Sequence, residues 1–470
     1  MRRTPSLLAV MLAACGPGVT EDDPQTCGSE GPVRILEDVA VGFAAYAGDR
    51  LLVHTDASFP FDPETVSLSA VGRCGENPVS MGDVDLTQYR HGVAGPHALR
   101  AEENGTLAWL DTFGQAATRT VFSEVTTCVL PVGDGLVAQT ADGTVRFHPN
   151  PTRADASPSV LVARAIAPEF PSIPLVDFAD CRQFDTERPV LDGEGILVAE
   201  EDGPLVRIAL PSAEREVLLD GPVGEFALLD DPRYILWRGP SASQPDVDCC
   251  AIHVLDRRSG SSEQVDGGVI VGSVGWYGEW LSTSSALGLP EQHQTFRNYV
   301  TGRSIRIDGW WDLQAPLSPT ELLLRRVGET DTMILDVTTG TLHPVDFPAL
   351  DWPERAYDDG VVALRRDDPE GTRGDLLRLR FGTRAPDLLA KNVPSDWVRT
   401  HGGNLLFIDR DRLDQQGPLV LLEPNGRRRV LAPLASSFSV PHHGTDHERN
   451  EVVYFVAEGT DQGMWRFALP

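Results

Sequence analysis

The chain has 470 residues, with 69 acidic against 40 basic side chains and a net charge of −29. That balance excludes the basic, counterion-releasing surface that nucleic acid needs, and argues equally against docking on anionic headgroups. A basic partner or divalent cations are compatible with it, and a solvated acidic surface is the plainer reading.

The chain opens Met1-Arg2-Arg3, continues through the apolar run Leu7-Leu8-Ala9-Val10-Met11 and closes on Leu12-Ala13-Ala14-Cys15. The run is far short of the ~20 residues of a membrane span, so it reads as the hydrophobic region of a signal peptide. Basic residues, apolar core, small residues and cysteine in this order resemble the lipobox of bacterial lipoproteins. The resemblance covers residues 1–15 and implies that residues 1–14 are removed. Cys15 would then carry a diacylglyceryl group on its sulfur and an acyl chain on its new N-terminus. Two or more chains hold a protein stably on a bilayer. Gly16 stands where an inner-membrane retention signal often places Asp, which favours the outer membrane. Residues 15–32 read as a lipidated flexible tether, rich in Gly, Pro and acidic residues without apolar patterning. No later stretch approaches membrane-spanning length, so residues 33–470 read as the folded part.

From Val33 onward one phrase returns: short apolar strand, Gly/Asp/Asn turn, second strand, third strand. It occurs as NGTLAWLD at 104–111, DGLVAQTADGTVRFHP at 134–149 and GEGILVAEEDGPLVRIALPSAEREVLL at 193–219. It returns as TELLLRRVGETDTMILDVTTGTLHPV at 320–345, GVVALRRDDPEGTRGDLLRLRF at 360–381 and EVVYFVAEGTDQGMWRFAL at 451–469. Alternation such as Leu-Val-Ala-Glu has the period of a half-buried strand, and DG, NG and SG supply the turns. Recurrence every ~40 residues is the period of a four-stranded propeller blade. The later units resemble WD-repeat and Tol-associated periplasmic propellers, without the GH…WD signature of the former. The fold expected is therefore all-β, a propeller of four-stranded antiparallel blades. Dividing residues 33–470 by the period gives about ten units, whereas propellers usually have four to eight blades. One propeller of seven or eight blades is expected, with long loops at 55–65, 150–180, 239–250 and 284–297. Up to ten units, or two smaller propellers, are the alternatives. The strand Gly463–Leu469 is expected to pair with the stretch around Val33–Val41 and so protect both terminal edges.

Besides Cys15 there are six cysteines, Cys27, Cys74, Cys128, Cys181, Cys249 and Cys250, which allow 15 connectivities in a disulfide-permissive compartment. Cys128 and Cys181 occupy similar points of neighbouring units, and a bridge of that length is worth about 4 kcal/mol. A bridge from Cys27 to Cys74 would pin the tether. Adjacent Cys249 and Cys250 face opposite ways on a strand, so they form either two separate bridges or a strained vicinal ring in a turn. The ring is the favoured reading because it leaves four cysteines that pair sensibly.

Catalytic patterns are sparse. Pro441-His442-His443-Gly444-Thr445-Asp446-His447 resembles the HxHxDH metal run of metallo-β-lactamase-like hydrolases at His442, Asp446 and His447, but Gly444 replaces the middle histidine and the helices of that fold are missing. These three are weak metal candidates, and a polar loop is the preferred reading; no metal or cofactor is expected. Val271-Gly272-Ser273-Val274-Gly275 lacks the first glycine of a nucleophile elbow. Asp409 with Asp411, Asp246 with Asp248, and Asp367 with Asp368 could offer oxygens to calcium but follow no calcium-loop pattern. Trp276, Tyr277, Trp280, Trp310 and Trp311 would line a glycan or peptide groove or fill blade cores. The expectation is a lipid-anchored envelope scaffold, non-enzymatic, with a protein or glycan partner. The alternative is a periplasmic propeller enzyme, a hydrolase or a quinoprotein dehydrogenase, a family in which a vicinal disulfide lies beside the quinone.

Overall fold

Each sequence unit folds into one four-stranded antiparallel sheet. The computed structural model describes residues 31–469 outside a set of connecting stretches, the longest being 57–65, 166–188, 240–250, 286–292 and 441–450. Its described residues form ten such sheets. Blades 1 to 9 span 41–84, 89–122, 129–164, 190–219, 226–264, 271–308, 311–345, 356–394 and 398–435. Blade 10 spans 437–468 and is completed by Val33–Glu37. Strands within a blade are lettered A to D in order across the sheet, so Val33–Glu37 is strand D of blade 10.

The expected seven or eight blades are thus corrected to ten, which agrees with the alternative of up to ten units. The usual propeller size pulled the count down, although the recurring phrases were genuine blades. Two stretches assigned to loops also carry strands: Val160–Arg164 is strand D of blade 3, and His293–Asn298 is strand C of blade 6.

Strand exposure gives the blades their direction. Strands B and C are buried, whereas outer strands such as Glu214–Leu219 and Ser261–Gln264 face solvent with charged or hydroxyl side chains. The A strands of neighbouring blades touch, as Val41–Ala47 does with Tyr89–Ala94 and with Ser437–Ser439, so they line the axis. Irregular register between strands C and D recurs in blades 1, 2, 3, 4, 8, 9 and 10. Such bulges, together with edge charges, discourage pairing with another chain.

The core is a ring of seams. Alternation in strands B and C sorts side chains between two interfaces and does not set a buried face against a wet one. Leu136 packs between blades 2 and 3 while its neighbour Val137 packs between blades 3 and 4. Leu322 and Leu324 face blade 6, and Leu323 faces blade 8. The strands were therefore expected to be half-buried and are buried on both faces, as in a sheet covered on each side. All ten neighbouring pairs share an apolar cluster, including blades 10 and 1, which join through Ile35, Tyr46, Leu51, Phe455 and Met464. At roughly 1.5–3 kcal/mol for each fully buried Leu, Ile or Val, these seams outweigh exposed ion pairs at about 0–1 kcal/mol each.

Close sheet packing selects glycine where strand B begins beside strand C. A Cβ on Gly195 would lie 2.5 Å from the Ile208 carbonyl oxygen. The ring closes as the terminal strands predicted: Val33 pairs with Arg466, Leu36 with Met464 and Glu37 with Gly463.

Candidate functional site

Cys15, Cys27, Cys128, Cys181, Cys249, Cys250, His442, Asp446 and His447 lie outside the described residues. By chain order Cys128 and Cys181 fall in connections leading into strand A of blades 3 and 4. Cys249 and Cys250 fall between strands B and C of blade 5. Cys74 is described and is disulfide-bonded. It sits in the turn after Val66–Gly72, where Glu76 Oε2 accepts the Cys74 N–H at 2.7 Å. At the next residue, a Cβ on Gly75 would stand 3.1 Å from the Ile35 carbonyl oxygen, so this turn lies against the N-terminal strand.

The other sequence candidates resolve into structure. Trp280 and Trp311 are buried in the seam between blades 6 and 7, and Trp276 and Tyr277 pack against the seams on either side, so core filling explains these four rings. The Gly272-Ser273 run lies in a strand, with Ser273 paired to Ser284, not on a strand-to-helix elbow. Asp409 and Asp411 both pair with Arg373, at 2.5 and 3.7 Å. Asp246, Asp248, Asp367 and Asp368 lie outside the described residues. Among the described residues no cluster of three or more His, Cys, Asp or Glu side chains could hold a metal, and no helix is long and apolar enough to cross a membrane.

Two polar constellations escaped the sequence reading. The first joins blades 10 and 1. Glu451 opens strand B of blade 10 and is 2% exposed. Its Oε2 accepts from Arg466 Nε at 2.6 Å and pairs also with Arg466 Nη2 and, at 3.4 Å, with Arg73 Nη2 from blade 1. Arg73 lies over the buried Tyr46 ring, 5.7 Å from its centroid. Burial pushes the Glu451 carboxyl up, and Arg466 pulls it partly back. An analogous bracket joins blades 4 and 5, where Asp192 accepts from Arg207 Nε at 2.7 Å and from Arg257 Nη1 and Nη2 at 2.9 and 2.8 Å. In both, an acid of one blade takes a third-strand arginine of its own blade and an arginine just past the third strand of the next. Arg-Arg spacing in the sequence gives no hint of this, because the partners are set by blade order.

The second constellation lies between blades 2 and 3. His97 begins strand B of blade 2 and His148 ends strand C of blade 3; both are buried. The His148 ring meets Phe122 edge-on, with centroids 6.4 Å apart. Burial pushes the His97 imidazole down to about 4, more than the Asp134 backbone and carboxylate pull it up, and His148 adds to the drop. Burial lowers His148 too, with help from Arg119. Unfolded His97, with an ordinary pKa near 6.5, takes up a proton that the folded ring refuses between pH 6.5 and 4. Stability is therefore full above pH 6.5 and declines across that window by up to about 3 kcal/mol from this group. Denaturant melts at pH 7.5 and 4.5 will show a smaller loss in His97→Gln than in the wild type. Equal losses would remove His97 from the account.

No known protein-family pattern and no curated protein sequence matches the chain. Among solved structures, BamB from Moraxella catarrhalis is similar over 82% of this chain and 94% of its own, at 13% identity and a TM-score of 0.32. Sqt1 from Saccharomyces cerevisiae is similar over 78% and 98%, at 10% identity and a TM-score of 0.31. Apo AztD from Citrobacter koseri is similar over 68% and 94%, at 9% identity and a TM-score of 0.34. The assignment as a propeller rests on the ten sheets and their seams.

Proposed function

We propose that this chain is a lipid-anchored scaffold of the bacterial cell envelope, held at the outer membrane through Cys15 and presenting a rigid ten-bladed ring to a protein or glycan partner. The observation that carries the reading is the closure. The segment that follows the tether is strand D of blade 10, so a chain anchored at Cys15 would deliver any load into the strand that locks the ring. The Cys74 turn packed against that strand supports the same reading. A ring closed by ten apolar seams behind the tether expected at residues 15–32 suits a part that must hold its shape while it reaches a partner.

Cys15→Ser is the test of the anchor. The variant will remain uncleaved by the lipoprotein route, incorporate no radioactive palmitate and keep the wild-type far-ultraviolet spectrum, because the ring begins at Val33. Palmitate labelling of the serine variant equal to wild type overturns the lipid assignment. Crosslinking followed by detergent extraction then tests the scaffold reading. Recovery of a partner joined to the ring supports it, and an exclusively uncomplexed chain under those conditions counts against it.

A further inference from the structure

We propose that Cys74 is bonded to Cys27, and that this bridge clasps the entering chain to blade 1 beside the strand that closes the ring. Cys74 is disulfide-bonded, and every other cysteine of the chain lies outside the described residues, so its partner is one of six. Residue order alone leaves the choice open. The two faces of the ring decide it.

Within a blade the four strands run alternately up and down, so the A–B and C–D turns share one face and the B–C and D–A connections share the other. Contacts between blades keep that division. Arg73, after strand C of blade 1, reaches Glu451 at the start of strand B of blade 10. Arg257, after strand C of blade 5, reaches Asp192 at the end of strand A of blade 4. Arg384, after strand C of blade 8, reaches Glu321 at the start of strand B of blade 7. Cys74 stands on this face, in the C–D turn of blade 1. The N-terminal strand enters on the same face, because it runs antiparallel to strand C of blade 10, with Val33 beside Arg466 and Glu37 beside Gly463. The Cys74 turn is itself pinned: the Gly72 N–H donates to the Glu76 carbonyl at 2.9 Å and the Gly75 N–H to the Gly72 carbonyl at 3.0 Å. That holds its backbone against Ile35.

Cys27 precedes Val33 by six residues, a reach of at most about 21 Å. The cysteines further along the chain belong to the opposite face. Cys128 adjoins Val129, which opens strand A of blade 3, and Cys249-Cys250 adjoins Ala251, which opens strand C of blade 5. Bridged Cα atoms lie within about 7 Å and consecutive ones are ~3.8 Å apart, so these three cannot cross the ring and two or more blades to reach Cys74. Cys181 leads into Val190 on that opposite face and would have to span three blades as well as the depth of the ring. Cys15 shares the N-terminal approach, and its expected lipid sets it aside; on that point alone the bridge rests on the reading above.

Forming the bond takes two protons and two electrons from the Cys27 and Cys74 thiols. They pass by exchange to the disulfide of an oxidised partner protein, which leaves as a dithiol. Once made, the bond keeps Val33–Glu37 beside its site, so a strand that peels from Gly463–Ala468 returns at high effective concentration. A pull along the tether then reaches blade 1 through sulfur before it reaches the hydrogen bonds of that strand.

Peptide mapping of the detergent-solubilised full chain, with free thiols alkylated and disulfides left intact, decides the partner. Cleavage after acidic residues separates Cys15 from Cys27, because Glu21, Asp22 and Asp23 lie between them. The Cys74 peptide will be joined to the one carrying Cys27. Cys74 found alkylated, or joined to Cys128, Cys181, Cys249 or Cys250, overturns the bridge and leaves the lipid assignment untouched; joined to Cys15, it overturns both. Cys27→Ala and Cys74→Ala will each accelerate amide exchange at Met464 and Arg466 by about tenfold or more. The double variant will do no more than either, as one shared bond requires. Exchange unchanged from wild type in both single variants overturns the clasp, and the map, made on the wild-type chain, stands if a variant folds poorly.

Discussion

Replacing Glu451 by alanine will destabilise the ring by about 3–5 kcal/mol, because it leaves buried guanidinium charge without its counter-ion. Arg466 and Arg73 both converge on Glu451 Oε2, and their side chains are only 9% and 13% exposed, so water cannot take over the lost role. The comparison that gives this number meaning is Arg380 with Asp387, a pair at 3.1 Å whose side chains are half exposed. Arg380→Ala will cost about 0–1 kcal/mol. Urea melts of the two variants decide the matter. Glu451→Gln should fall between them, since it keeps the shape and loses the charge. If Glu451→Ala and Arg380→Ala shift the midpoint equally, the joint between blades 10 and 1 does not depend on the ion cluster.

A chain beginning at Val41 will fail to form a monomeric ring. Such a chain lacks Val33–Glu37, which leaves strand C of blade 10, Gly463–Ala468, as an open edge and strips Ile35 from the apolar cluster shared with blade 1. An unprotected edge pairs with other chains, so association on size-exclusion chromatography is expected. Hydrogen exchange at Met464 and Arg466 should accelerate sharply. A synthetic peptide covering residues 31–40 should restore both properties by adding the missing strand. A truncated chain that stays monomeric, melts like the wild type and protects those amides would show that closure is incidental to stability.

Much of the architecture could be read from residue order. The all-β class, the four-strand repeat and the pairing of the last strand with the first all follow from turn-punctuated apolar phrases, and Leu36 beside Met464 is that pairing in place. The blade number was misjudged because local pattern says what each unit is, while the size of a ring depends on how neighbouring sheets pack. The phrase at 193–219 reads as a unit and is blade 4, so the repeat itself was legible and only the usual ring size drew the number down. The site was harder still. Arg146, His148 and Thr120 stand on two different blades, and nothing in TVRFHP or RTVF signals that they line one cleft. The two histidines could have been flagged as polar residues at the ends of apolar strands, which was the available clue. The tryptophans, by contrast, drew notice as a cluster and proved to be interior packing at Trp280 and Trp311.

The locking strand is also a statement about time. Val33 and Arg466 are neighbours in the sheet yet lie nine blades apart along the chain. During synthesis strand D of blade 10 emerges early and has no partner until strand C of that blade arrives. The entropic cost of joining the ends is modest, since it grows only logarithmically with the intervening length. The delay is therefore kinetic in origin. Nine blades can assemble in succession by local contacts, each on its predecessor, and the final step alone demands a contact of near-maximal sequence separation. In the interval the nascent chain presents two unmatched strand edges at once, which is the period when a holding chaperone would matter most and when a premature stop in the last blade would do most harm.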